Sequence, residues 1–194
     1  MSTTTRVPPA EITGLTGAVV KLASRRMLGR VPDSIGVMWH SRPALFAGMK
    51  TGRRASKWKN CDPQLRSFAH MAVSSFVGCS FCLDLGYFQA RNEGLDLEKA
   101  REVPRWRESG VFTPLERDVL ELAEAMSQTP VAVTDELFAR LLGSLGPAAM
   151  VELCSWIGLV NSMTRTNVTL GVSSEGFAES CGLPAMAERT GSAA

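Results

Sequence analysis

The stretch Asp62–Tyr87, DPQLRSFAHMAVSSFVGCSFCLDLGY, decides the fold class. It opens on an aspartate that can cap a helix, followed by a proline suited to the first helical position. From there Leu65, Phe68, Ala69, Ala72, Val73, Phe76 and Val77 recur at i, i+3, i+4, i+7, i+8, i+11 and i+12, a stripe along one helix face. Ser67, His70 and Ser74 fall on the opposite, polar face. Gly78 is a helix stop and delivers the chain to Cys79-Ser80-Phe81-Cys82. If the segment after Gly78 is helical, Cys79 and Cys82 sit at i and i+3 on one face near a helix N-terminus, whose positive end favours thiolate.

Helical signals continue on both sides. Thr13 to Gly29 reads as an amphipathic helix with Leu15, Val19, Leu22 and Ala23 inward and a basic end at Lys21, Arg25 and Arg26. Short helices follow after Asp33-Ser34 and Pro43, and the basic pair Arg53-Arg54 reads as a solvated helix end. The cysteine helix runs to about Asn92, and Asp96 caps a short helix beyond Gly94. Thr113-Pro114-Leu115-Glu116 is a capping box that opens a helix with Leu115, Val119, Leu122, Ala123 and Met126 inward, closed by Thr129-Pro130. Asp135 to Leu145 is another helix. After Gly146-Pro147, apolar residues from Met150 to Met163 cover most of a long helix, which predicts burial on several sides and an oligomer interface. No segment alternates with the period of a strand, so the fold class is all-α.

Bulk properties narrow the function classes. A chain of 194 residues is one domain with appendages. Net charge is +2, from 21 basic and 19 acidic residues, which gives no strong positive field for nucleic acid or an anionic membrane. The opening MSTTTRVPPAEI holds no apolar run of signal-peptide length, and no later segment reads as about 20 apolar residues free of charge. Five cysteines, an odd count, fit a reducing compartment, and the expectation is a cytoplasmic protein.

The CxxC pair admits several chemistries. Zinc would need two further ligands, and His40, His70, Cys61, Cys154 and Cys181 show no second paired spacing, so no metal is expected. A thioredoxin-like site would follow a strand, which the helices argue against. The remaining readings are a structural pair in a helix core and dithiol redox on an all-α scaffold. Cys61, Cys154 and Cys181 are assigned no catalytic part. The helix dipole alone favours Cys79 as the more acidic thiol.

Several segments together resemble the AhpD-like, carboxymuconolactone decarboxylase family. They are the helix from Leu65-Arg66 into Gly78-Cys79-Ser80-Phe81-Cys82, then Arg105-Trp106-Arg107, Phe112-Thr113-Pro114-Leu115-Glu116-Arg117, Leu122-Ala123-Glu124-Ala125 and Asn161 to Asn167. The resemblance covers roughly residues 40 to 170, and the expected division is an N-terminal helical extension (1–30), an AhpD-like domain (31–172) and a Ser/Gly/Ala-rich, loosely ordered tail (173–194). It implies an all-helical, homo-oligomeric protein that needs no cofactor. In the redox branch it implies a peroxidase in which Cys82 attacks a peroxide and Cys79 resolves the sulfenic acid, with a lipoylated or thioredoxin-like dithiol protein returning the electrons. That branch places a glutamate twelve residues before the first cysteine and a histidine four after the second, and here those positions hold Ser67 and Gly86. Only the two cysteines carry over, and His70, one turn after Ser67, is the candidate substitute base. The alternatives are a lactone decarboxylase, which would need a positioned acid–base group and cationic clamps, and a non-catalytic redox-switched or ligand-binding oligomer.

Overall fold

The computed structural model describes residues 5–177, all of whose regular structure is helical. In chain order these are α1 (Gly14–Leu28), α2 (Asp33–Met38), α3 (Arg42–Ala55), α4 (Pro63–Val77), α5 (Ser80–Asn92), α6 (Leu97–Glu102), α7 (Pro114–Ala125) and α8 (Asp135–Leu170), with single 3₁₀ turns at Trp39–Ser41 and Val103–Arg105. The helix starts follow the capping chemistry of the sequence. Asp62 Oδ1 accepts the Gln64 N–H at 2.7 Å, and Thr113 and Glu116 exchange side-chain and backbone hydrogen bonds as a capping box. α8 is broken at Gly146, whose φ of 74° and ψ of 167° precede Pro147, so it is two helices end to end, as Gly-Pro predicts.

α4 is the centre of the molecule and packs on α5, α7 and α8. Phe68, Ala69, Ala72 and Val73 of its predicted stripe meet Val119, Leu122 and Ala123 of α7 and Leu153, Ile157 and Val160 of α8 in the main core. By length and composition α8 could cross a membrane, although no such segment was expected; here it lies against α4 and α7. It is buried along one side only, through Leu141, Met150, Leu153, Ile157 and Val160, while Val151 and Met163 face outward. The expectation of burial on several sides is therefore not met within one chain.

Two faces are turned differently from their sequence reading. In α1, Leu15, Val19 and Leu22 are 90%, 65% and 70% exposed, and the buried residues are Gly17, Val20 and Ser24. The reason is close approach: a Cβ on Gly17 would stand 3.0 Å from Ile12 Cγ2 and 3.3 Å from Trp39 Cζ2, so the small-residue side is the one that fits. In α4, His70 and Ser74 do not face solvent. Both are buried, because α5 and α8 cover the side of α4 that α7 leaves free.

His70 stands edge-on to Trp156 of α8, with centroids 6.3 Å apart, and its Nε2 has no hydrogen-bond partner. Burial lowers its pKa from 6.5 to about 4, so the ring is neutral in the fold. A histidine more acidic folded than unfolded leaves stability intact above pH 6.5 and removes it as pH falls towards 4. The loss approaches about 3 kcal/mol below both values. In urea titrations at pH 7.5, 6.5, 5.5 and 5.0, wild type should lose stability relative to His70→Leu by about 1.4 kcal/mol per pH unit below 6.5. A constant difference between the two proteins would mean that His70 titrates alike in the folded and unfolded chains.

Candidate active site

Gly78 ends α4 in the left-handed region, φ 84°, and Gly78 and Cys79 both donate to the Ser74 carbonyl, at 3.1 and 2.8 Å. This reversal makes Cys79 the N-cap of α5, where its Sγ takes the place of the usual capping oxygen and accepts the Cys82 N–H at 3.2 Å. Cys79 and Cys82 are joined as a disulfide with Cα atoms 5.3 Å apart. Asn167, on the last turn of α8, donates from Nδ2 to Cys82 Sγ at 3.3 Å.

The pair is enclosed, with Cys79 0% and Cys82 4% exposed. Its surroundings are apolar: Phe81, Leu85 and Phe88 of α5, Leu28 of α1, Leu170 of α8, and Val172 and Phe177 beyond it. Phe177 packs against the rings of Phe81 and Phe88, with Arg30 over its face at 4.6 Å.

Residues 172–177 thus form a strap across the disulfide. The expectation of a loosely ordered tail from residue 173 gives way for residues 173–177, while Cys181 lies outside the described residues. Asp84 is the cause. It is buried, and its Oδ2 accepts from Ser174 Oγ, Glu175 N–H and Phe177 N–H at 2.9, 3.1 and 2.9 Å. A carboxylate removed from water needs such donors, and the strap provides them. Ser80 Oγ accepts the Ser174 N–H at 3.0 Å. The Glu175 carboxylate takes the Asp33 N–H at 2.9 Å and lies 3.6 Å from Arg30, which ties the strap to the N-terminal helices.

The other sequence candidates sort by position. Gly86, four residues after Cys82, does not open a space at the sulfur: a Cβ there would lie 3.1 Å from Met71 Cγ and 3.9 Å from His70 Cε1. The two α4 side chains occupy the notch, so His70 from one helix stands where a side chain from position 86 would point. Ser67 is half-buried and donates to Glu93, just past the end of α5, at 3.3 Å. Tyr87 is a core aromatic, and burial raises its phenol pKa. Cys61 is buried with its thiol pushed up to about 11, and burial also raises Cys154, so neither is poised as a thiolate. Among the described residues no three His, Cys, Asp or Glu side chains converge on a metal-sized site. An open cleft of about 450 Å³ is lined by Phe76, Val77, Ser127, Gln128, Thr129 and Arg165, and the cysteines do not line it.

The sequence reading missed Asn167 as a contact of Cys82 and missed the strap. The only local signal for the strap is the spacing of Val172 and Phe177, two apolar residues flanking the polar turn Ser173-Ser174-Glu175-Gly176.

The sequence pattern of the Carboxymuconolactone decarboxylase family matches residues 43–125. The uncharacterized protein YnjA of Escherichia coli (strain K12) is 32% identical over 162 residues, covering 82% of this chain and 87% of YnjA. The debrominase Bmp8, in a crystal structure with 2,3,4-tribromopyrrole, superposes with a TM-score of 0.76 at 21% identity, over 93% of this chain and 96% of that one. The Agrobacterium tumefaciens protein ATU0492, of unknown function and suggested to be the antioxidant defence protein AhpD, gives a TM-score of 0.65 at 24% identity, over 71% and 94% of the two chains. Helical architecture, a CxxC disulfide at the start of α5 and these similarities agree: the chain belongs to the AhpD-like, carboxymuconolactone decarboxylase family.

Proposed function

We propose that this protein is a dithiol-dependent reductase of small apolar electrophiles, with organic hydroperoxides as the first substrate class. The observation that carries the reading is the Cys79–Cys82 disulfide at a helix N-terminus, in an apolar enclosure. In the reduced state the Cys82 thiolate attacks the distal oxygen of a hydroperoxide. The O–O bond breaks, the departing alkoxide takes a proton, and Cys82 becomes a sulfenic acid. The Cys79 thiol then displaces water from it and closes the disulfide. The net change is two thiols and a hydroperoxide converted to a disulfide, an alcohol and water. A dithiol protein, lipoylated or thioredoxin-like, returns the two electrons by exchange.

His70 belongs to this proposal as its candidate base, since it is neutral and fills the notch at Gly86, four residues after Cys82. The apolar aromatic wall supports a second substrate class, in keeping with what Bmp8 is named for. The same dithiol could remove halogen reductively from a haloaromatic ring, giving arene, hydrogen halide and disulfide.

The test is a single turnover of fully reduced protein, without oxygen, against cumene hydroperoxide and against a bromopyrrole, with product and thiol loss measured by mass spectrometry. Loss of two hydrogens in the 79–82 peptide together with stoichiometric alcohol supports the first substrate class, and bromide release supports the second. Cys82→Ser should abolish either reaction, and Cys79→Ser should stop the first at a sulfenic acid. Oxidation of the pair without any product would favour a redox switch over an enzyme.

Two expectations concern the frame. Asp84→Asn keeps the shape but removes the charge that three strap donors share. A charged hydrogen bond contributes about 1.5–3 kcal/mol, so reduction of the disulfide by dithiothreitol should accelerate roughly tenfold or more. Unchanged reduction kinetics would show that the strap does not limit access. Gly86→His should destabilise the fold by about 1–3 kcal/mol through overpacking against Met71 and His70, without raising turnover. A stable, faster variant would show that the notch is free for a base.

A further inference from the structure

Asn167 and Cys82 are 85 residues apart in sequence, yet the amide nitrogen of one lies 3.3 Å from the sulfur of the other. The asparagine is held from behind. Its main-chain carbonyl accepts from Gly171 N–H, in the left-handed cap of α8 with φ 73°, and from Val172 N–H at 2.9 Å. The side chain therefore leaves from a fixed point and reaches the sulfur without having to order the backbone first. A bridging disulfide sulfur is a weak acceptor, whereas a thiolate is a strong one, so this contact gains strength when the S–S bond opens. Cys79 Sγ has a different donor, the Cys82 backbone N–H at 3.2 Å.

We propose that Asn167 is a catalytic residue that holds Cys82 as the thiolate and so selects it as the attacking sulfur. The proposal rests on reading the pair as a working dithiol. When an external dithiol reduces the bridge, the S–S bond breaks and two electrons enter. Cys79 takes a proton, while Cys82 keeps its negative charge against the amide N–H and the first turn of α5. The role that the redox branch gives to a glutamate and a histidine is here shifted to a neutral donor on another helix. Such a donor stabilises the anion but cannot store its proton.

The experiment is the pH dependence of iodoacetamide alkylation in the Cys79→Ser background, read on the Cys82 peptide by mass spectrometry. The midpoint of this titration reports thiolate fraction; opening of the strap would hydrate the anion and lower the midpoint, whereas loss of a hydrogen-bond donor raises it. Asn167→Leu should raise the Cys82 midpoint by about one pH unit, a tenfold loss of thiolate below it. In the two-cysteine protein the same change should make the disulfide harder to reduce by about 30 mV for that tenfold factor. Asn167→Asp, which keeps the shape and brings a like charge, should raise the midpoint at least as far. Cys61 and Cys154 serve as internal controls and should not shift. The proposal is overturned if Cys82 titrates unchanged in both variants, or if Cys79 in a Cys82→Ser background shifts by the same amount, since Asn167 would then only hold the strap. A shift confined to Cys82 with no turnover of any electrophile would uphold the role of Asn167 and count against the reductase reading alone.

Discussion

The geometry of the site hangs on one backbone reversal. At Gly78 the chain must pass through the left-handed region, which costs an L-residue steric strain and glycine none. The Ser74 carbonyl, left without an intrahelical partner, is taken up by the next two N–H groups, and the residue after the glycine becomes the cap of α5. A sulfur in that position serves two structural ends, as acceptor for the first turn and as half of the disulfide. Since α4 is also the helix on which α7 and α8 pack, the reversal fixes where the sulfurs stand relative to the end of α8.

The surroundings of the pair are notable for the neutrality of the contacts that reach the sulfurs, a backbone amide and a side-chain amide. Charge is kept at one remove. The buried carboxylate two residues beyond Cys82 faces the strap and is occupied by its donors, and the histidine at the Gly86 notch is uncharged because it is buried. An apolar enclosure strengthens hydrogen bonds to an anion and penalises the anion without them.

Much of the fold could be read from local chemistry, because capping and period are local. Asp62-Pro63, the Thr113–Glu116 box and the Gly146-Pro147 break stand where the sequence placed them. The limits have equally physical causes. A stripe such as Leu15, Val19 and Leu22 says that a helix has an apolar face, but not whether that face finds a partner within the same chain. His70 falls on a polar face by periodicity, yet α4 is covered from more than one direction, so its polar face is interior as well. Asp84, Asn167 and the strap escape because their partners lie 85 to 93 residues away, and no spacing rule connects such positions. The cysteine pair was visible for the opposite reason, being complete within four residues.

The apolar residues fall into three separate clusters, and the disulfide belongs to a small one: Cys79, Phe81, Cys82, Val172 and Phe177. The large cluster of α4, α7 and α8 does not include these residues, nor does the N-terminal one around Ile12, Val20, Trp39 and Leu45. Cooperative units of a protein open at free energies set by what each buries, from near zero up to the global value. The disulfide is therefore packed apart from the main core, while α5 itself reaches into that core through Leu83, Tyr87 and Ala90. Uncovering the sulfurs exposes the few apolar residues of their own cluster, a much smaller set than the one that must come apart for the molecule to unfold.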